Sequence, residues 1–97
     1  MIEYFEIAEF FKCFSDASRV KIIQIIGEGE KAVNDIASEA QMTQTAVSYQ
    51  LRILRDARIV KYRREAQNIY YSLSDEHIID LLNTTISHIE ERKLLWD

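Results

Sequence analysis

Two pairs of side chains near the C-terminus are suited to binding a metal ion. Asp75 and His77 are two residues apart, and His88 and Glu91 are three residues apart. Imidazole nitrogens and carboxylate oxygens are ligands for Zn²⁺, Co²⁺ and Ni²⁺. From His77 to His88 a helix makes about three turns, so both imidazoles are expected on one side of it, about 16 Å apart. Zinc–nitrogen bonds are about 2 Å long, so one ion cannot contact both histidines of one chain.

The spacing therefore calls for a second copy of the same helix. If two copies pack antiparallel about a twofold axis near Leu82, Asp75 and His77 of one chain lie beside His88 and Glu91 of the other. Two identical sites result, and four such ligands suit tetrahedral Zn²⁺, with Co²⁺ or Ni²⁺ as other candidates. Four protein ligands leave no open position for a catalytic water, which argues against a metalloenzyme. The alternative is two solvated histidines on a helix of a dimer.

Helical periodicity predicts the elements that precede this site. A first helix has an aromatic face, and a second begins at Asp16 and ends with Gly27 in a left-handed conformation. A short helix over 33–40, a polar turn at 41–42 and a longer helix over 43–58 follow. Two helices joined by so short a turn form a helix-turn-helix.

The pattern then changes from period 3.6 to period 2. Residues 59–73 alternate around "EAQN" and predict a two-stranded hairpin. Its turn contains no glycine, so Asn68 is expected to take the left-handed position. Asp75 caps a last helix over about 76–92. The order predicts a mainly α (α+β) winged helix-turn-helix, with residues 1–97 as one DNA-binding and dimerisation domain that dimerises through its first and last helices.

Positive charge is concentrated in the helix-turn-helix and the hairpin. The chain has a net charge of −4, but residues 43–71 carry six basic and two acidic side chains, a net charge of +4. A basic segment in an acidic body suits contact with phosphate. In this fold the second helix enters the major groove, where Gln pairs with adenine and Arg with guanine, while arginines of the hairpin reach the backbone or the minor groove. The residues predicted to contact double-stranded DNA are Gln44, Thr45, Ser48, Tyr49, Arg52, Arg63 and Arg64.

Other classes of function find less support in the sequence. No signal peptide and no apolar run of about 18 residues is apparent, so a cytoplasmic protein without a membrane partner or a small organic substrate is expected. The lone Cys13 is expected to be a packed apolar residue, since one thiol makes no internal disulfide and no multi-thiolate metal site. Two alternatives stay open: a repressor that answers another signal, such as oxidation of Cys13, and a dimeric interaction module without DNA affinity.

The stretches "FSDASRVKIIQII", "VNDIASEAQMTQTAVSYQLRILRDARIVKYRRE" and "NIYYSLSDEH" resemble the ArsR/SmtB family of metal-responsive winged-helix repressors. Asp75-x-His77, ten residues, His88-x-x-Glu91 is similar to the zinc site between the last helices of that family. The resemblance implies that the metal-free dimer binds operator DNA and represses genes for metal export or sequestration, and that zinc weakens this binding. It also implies that the second ring nitrogen of His88 donates a hydrogen bond to the backbone near Arg58.

The chain departs from the family pattern at several positions. Ala32 and Asn34 stand where many relatives have a Cys-x-Cys motif, so the thiolate site is absent and the site on the last helix remains. Ala17 replaces a common proline, Tyr49 replaces a common histidine, and the wing lacks its usual glycine. Because of these departures, the family pattern predicts neither the DNA sequence that this chain recognises nor the conformation of its wing.

Overall fold

A computed structural model of the protein describes the backbone of residues 1–96 and the side chains of residues 1–95. Asp97, the last residue of the predicted domain, lies outside the described residues. The chain order of helices confirms the predicted winged helix-turn-helix. The elements are α1 (Tyr4–Lys12), α2 (Ala17–Gly27), β1 (Lys31–Ala32), α3 (Val33–Ala40), α4 (Gln44–Asp56), β2 (Val60–Glu65), β3 (Asn68–Leu73) and α5 (Glu76–Trp96).

The sheet has one strand more than predicted. β1 pairs antiparallel with β3, which also pairs with β2, so the strand order is β1-β3-β2. Lys31 lies opposite Tyr71, and Ala32 lies opposite Tyr70. A strand of two residues is too short for a period-2 pattern, which is why the sequence predicted only the hairpin. The added strand ties the base of the wing to the segment before α3.

The core lies between the helix-turn-helix and the sheet. Burying β-branched and leucine side chains in this space supplies the main favourable free energy for folding. Ile78 and Leu82 of α5 also belong to this core, at 6% and 5% exposure, so the first half of α5 packs on its own chain. The largest fully buried side chains are Ile22, Ile23, Ile36, Val47, Leu51, Leu54 and Ile59.

Helix α2 begins as predicted but does not end as predicted. The Asp16 carboxylate accepts a hydrogen bond from the Arg19 N–H at 3.1 Å and caps the helix. Gly27 is the last helical residue, and the left-handed role that we predicted for it is wrong. A Cβ atom on Gly27 would lie 2.5 Å from Cδ1 of Ile79, so the glycine permits the close approach of α5. The positive φ, 151°, belongs to Gly29.

The turn of the wing also differs from the prediction. Glu65 pairs with Asn68, so only two residues separate the strands, and Asn68 is already extended in β3. Ala66 takes the left-handed position instead, with φ 56°. The turn lies within "EAQN" as predicted, but the prediction for Asn68 was wrong, because Asn68 pairs with Glu65 across the turn and the positive φ falls on the first of the two turn residues.

The last helix is longer than predicted and starts at the predicted cap. Oδ1 of Asp75 accepts the His77 backbone N–H at 2.9 Å, and α5 continues past Arg92 to Trp96. None of the helices in the described part of the chain is both long and apolar enough to cross a bilayer.

Candidate functional site

The recognition helix α4 is held by its caps and by α3. Thr43 Oγ1 accepts the Ala46 N–H at 3.0 Å and begins the helix. Gln41, with φ 57°, ends α3, so that a short turn joins the two helices. Lys21 Nζ donates to the Ala40 carbonyl at 2.8 Å and supplies a cation at the C-terminus of α3. The orientation of α4 is thus fixed at the turn.

Helix α4 buries one face and exposes the opposite one. Val47, Leu51 and Leu54 are at most 1% exposed, as the periodicity predicted. Tyr49 is 65% exposed, which is unusual for a large aromatic side chain without a partner molecule. All five side chains predicted to read DNA lie on the exposed face: Gln44, Thr45, Ser48, Tyr49 and Arg52.

The two arginines of the wing have different surroundings. Nε and Nη2 of Arg63 each donate to a carboxylate oxygen of Glu30 at 2.8 Å, and Nη1 donates to Glu65 at 3.2 Å. The Arg63 guanidinium also lies 4.9 Å from the ring centre of Tyr70, its cross-strand neighbour. Arg64 is exposed on the other face of β2. The predicted positive tip is therefore partly neutralised at Arg63.

Asp75 and His77 lie together at the start of α5. Oδ1 of Asp75 is 3.3 Å from Nδ1 of His77, and the two side chains are 55% and 92% exposed. Two ligands of a tetrahedral ion with bonds of about 2.0–2.1 Å are about 3.3–3.4 Å apart. This oxygen and this nitrogen are thus spaced as two ligands of one zinc ion, and the donor set fits the metal predicted from the sequence.

His88 and Glu91 lie farther along the same helix. Both line a shallow polar depression with Asn83, Thr84 and Ser87. Residues three apart are neighbours on a helix surface, so the imidazole and the carboxylate are within reach of one ion. Within the described residues, no three His, Cys, Asp or Glu side chains of the chain come together as a metal centre. The structure brings the predicted ligands together as two separate pairs.

Arg58 occupies the tight turn after α4. Its φ is 62°, and its carbonyl accepts the Ser74 hydroxyl at 2.6 Å. The Ser74 N–H donates to the Ile59 carbonyl at 2.9 Å. The Ser74 hydroxyl thus binds one backbone acceptor in the turn where the family resemblance implies a hydrogen bond from His88. Asp75 follows Ser74, so a predicted metal ligand is next to the residue that is hydrogen-bonded to the turn after the recognition helix.

An apolar groove lies open between α1 and α5. Helix α1 has no buried residue, and Phe5 and Phe11 are 69% and 49% exposed. The groove has a volume of about 380 Å³. Exposed apolar surface of this extent on two adjacent helices is typical of a protein–protein interface. Its lining residues are Phe11, Phe14, Val20, Leu81, Leu82, Thr85, Ile86 and Ile89.

Cys13 is 7% exposed and packs in the core. Burial raises the pKa of its thiol, which lowers the fraction of reactive thiolate. This environment agrees with the prediction of a packed apolar residue and disfavours the alternative of an oxidation signal through this thiol.

Two contacts around the wing were missed in the sequence. Glu30 was assigned no role, because its partner Arg63 is 33 residues away. Arg55 of α4 lies 5.7 Å from the ring centre of Tyr62 on β2, so one face of the wing is turned towards the recognition helix. The spacing of Arg55 after Arg52 in a basic helix was the one available signal for this contact.

Comparison with known proteins agrees with this architecture. The model of the family described as "Bacterial regulatory protein, arsR family" matches residues 16–62. A transcriptional repressor SmtB homolog from Synechocystis sp. is 42% identical, over 89% of this chain and 65% of its own length. A cadmium resistance transcriptional regulatory protein, a CadC homolog from Staphylococcus aureus, is 39% identical over 89% of this chain and 72% of its own.

A solved structure shares the fold. It is the homodimeric winged helix-turn-helix DNA-binding domain of a possible ArsR-family regulator from Mycobacterium bovis, with a TM-score of 0.78 and 26% identity. The match covers 90% of this chain and 80% of that one. The chain therefore belongs to the ArsR family of bacterial regulatory proteins, a family of DNA-binding transcriptional regulators and not of enzymes.

Proposed function

We propose that this protein is a metal-responsive transcriptional repressor. It acts in the cytoplasm as a homodimer, binds operator DNA, and releases the DNA when Zn²⁺, or in its place Co²⁺ or Ni²⁺, binds between the last helices. The genes it controls then serve metal export or sequestration. The observation that carries the proposal is the Asp75–His77 pair, 3.3 Å apart and exposed at the start of α5.

The dimer is formed through α1 and α5. The apolar groove between these helices supplies the surface, because a second copy would remove its exposed aromatic and aliphatic side chains from water. The solved winged helix-turn-helix domain from Mycobacterium bovis is homodimeric, which supports a dimer of this chain. Antiparallel α5 helices then bring Asp75 and His77 of one chain to His88 and Glu91 of the other.

DNA contact is made by α4 and the wing. Gln44, Thr45 and Ser48 lie at the first turns of α4, the part of a recognition helix that approaches base edges in the major groove. Arg52, farther along, and Arg64 of the wing add cations for guanine or phosphate. Two such helices in a dimer read half-sites about one helical turn of DNA apart.

Bound zinc would supply a divalent positive charge. Zn²⁺ is well suited to four nitrogen and oxygen ligands in a tetrahedral arrangement. Asp75 and His77 of one chain and His88 and Glu91 of the other would hold it, and holding it would fix the spacing of the two α5 helices. The link to DNA is short, because the hydroxyl of Ser74, next to Asp75, donates to the Arg58 carbonyl in the turn after the recognition helix. A change at Asp75 would therefore reach α4 through Ser74, one hydrogen bond and the turn residues Ala57 and Arg58.

The test is fluorescence anisotropy with a labelled duplex that carries the region upstream of the protein's own gene. We expect zinc to raise the Kd for this duplex by roughly 5- to 150-fold, the usual range of allosteric coupling. His88→Ala should bind the duplex as the wild type does, yet lose most of this response. Ser87→Ala is the matched control, since it removes a neighbouring exposed side chain that is not a ligand.

Three results would contradict the proposal. A wild-type protein without affinity for any duplex would favour the interaction module. An unchanged Kd on zinc addition would leave a DNA-binding repressor with another signal. A His88→Ala protein that still leaves its operator on zinc addition would remove His88 from the site.

A further inference from the structure

Arg63 and Arg64 are adjacent in β2 and therefore point to opposite faces of the wing. Arg63 shares its face with Tyr70, against whose ring its guanidinium lies. Arg64 shares the other face with Tyr62, which lies 5.9 Å from Tyr71 and contacts Arg55 of α4. The face with Arg64 is thus the one turned towards the recognition helix, whereas Arg63 lies towards the loop before β1.

The guanidinium of Arg63 is already engaged by acids. Its Nε and Nη2 donate two hydrogen bonds to the two carboxylate oxygens of Glu30. In this bidentate geometry arginine binds a carboxylate most strongly. Glu65 takes Nη1. The hydrogen bonds from Arg63 also lower the pKa of Glu30, so this carboxylate is charged at neutral pH. One cation and two anions leave a net negative charge at this point of the wing.

A phosphate that approaches Arg63 would have to displace a carboxylate and would meet a second one. A phosphate that approaches Arg64 meets neither, because the carboxylate contacts of Arg63 are on the opposite face of the strand. The adjacent arginines therefore differ in their capacity to bind DNA, although both are exposed.

We propose that Glu30 determines which arginine of the wing contacts DNA: it holds Arg63 as a structural anchor between the loop and the sheet, and leaves Arg64 as the phosphate contact. The proposal rests on the DNA-binding part of the proposed function and is independent of the metal site. Glu30 is a positioning residue in this scheme, since it acts on the DNA contact through Arg63. Its negative charge also weakens contact with DNA of any sequence.

The test is the salt dependence of binding to a random-sequence duplex, measured by anisotropy without added metal. Each phosphate contact contributes about 0.9 to the slope of log K against log salt concentration. We expect Arg64→Ala to lower the slope by about 0.9 per chain, and Arg63→Ala to leave it unchanged. Glu30→Gln, which keeps the shape of the side chain, should release Arg63 and raise the slope by up to about 0.9.

Glu28→Gln is the matched control, because it removes the same charge from the same exposed loop without a contact to Arg63 in the described structure. Arg63→Met, which keeps the aliphatic stem over Tyr70, replaces Arg63→Ala if the alanine variant unfolds. Equal losses of slope in the Arg63 and Arg64 variants, or equal slopes for Glu30→Gln and Glu28→Gln, would overturn this proposal alone. A wild-type protein that binds no duplex would overturn it together with the proposed function.

Discussion

At the scale of single residues, Gly27 shows a requirement for close packing. The position is at the end of α2, where Ile79 of α5 packs against it, and no positive φ is involved. An added Cβ would lie 2.5 Å from Cδ1 and 3.1 Å from Cγ1 of Ile79. The methyl end of the isoleucine must therefore move to admit any side chain.

We expect Gly27→Ala to lower the free energy of unfolding by about 1 kcal/mol, because overpacking outweighs the gain in helix propensity. Ile79→Val removes Cδ1 and with it the closest contact. In that background Gly27→Ala should cost about 1 kcal/mol less. Urea denaturation of the four proteins measures this cycle, and effects that simply add would show that the contact is relieved elsewhere.

Glu30 makes a second prediction at this scale, in the pH dependence of stability. Its pKa is lowered in the folded state by hydrogen bonds from Arg63. The resulting stabilisation is fully present above the ordinary pKa of glutamate and is lost as the pH falls through the lower folded-state value. The difference in unfolding free energy between wild type and Glu30→Gln should therefore be constant near neutral pH and shrink in acid. A difference that grows on acidification would contradict the pairing.

At the scale of elements, one side chain of α2 binds the C-terminal end of α1, in addition to the packing of Phe10 and Cys13 on the core. Arg19 of α2 donates from Nε to the Cys13 carbonyl at 3.1 Å and from Nη2 to the Lys12 carbonyl at 3.3 Å. Its Nη1 donates to Oε1 of Gln50 on α4 at 3.1 Å. Since α1 itself has no buried residue, these three hydrogen bonds connect the helix that we propose at the dimer surface with the recognition helix.

We expect Arg19→Lys to loosen α1, because an ammonium group cannot reproduce three directed bonds. Amide hydrogen exchange in α1 should accelerate while exchange in α3 is unchanged, at a cost in stability of roughly 1–3 kcal/mol. Lys12→Ala is the control, since the Lys12–Glu9 pair is exposed and contributes little. Equal protection of α1 in wild type and Arg19→Lys would show that other contacts hold the helix.

Some elements and contacts could be predicted from the sequence, and others could not. Residues 33–40 and the buried stripe of α4 followed from periodicity, because a helix that packs on a core repeats its apolar residues. Periodicity did not predict β1, the three hydrogen bonds of Arg19 or the pairing of Glu30 with Arg63. Each depends on a partner many residues away, and no local pattern encodes such a contact. The ligand pairs could be predicted because their spacing is local, and they stay a prediction because the proposed site also requires a second chain.

The whole molecule needs a second copy to complete the proposed metal sites. The described part of one chain holds two predicted ligand pairs and no complete centre. In the proposed dimer, the groove between α1 and α5 is the surface on which the second copy closes both sites and sets the distance between the recognition helices. If metal binding weakens DNA binding in this way, DNA must by reciprocity weaken metal binding by the same factor.

In the dimer that we propose, each metal site takes Asp75 and His77 from one chain and His88 and Glu91 from the other. The direct measurement is a Co²⁺ titration, followed by absorption, of two defective proteins alone and after mixing through a refolding step. One carries Asp75→Ala with His77→Ala, and the other carries His88→Ala with Glu91→Ala. Neither homodimer has an intact site, but the mixed dimer has one.

We expect each protein alone to bind no tetrahedral Co²⁺, and the mixture to regain one ion per mixed dimer. Mixed dimers that are isolated through two different affinity tags give this stoichiometry directly. A mixed dimer that binds no more cobalt than its parents would contradict the shared site, and with it the proposed mechanism of release from DNA.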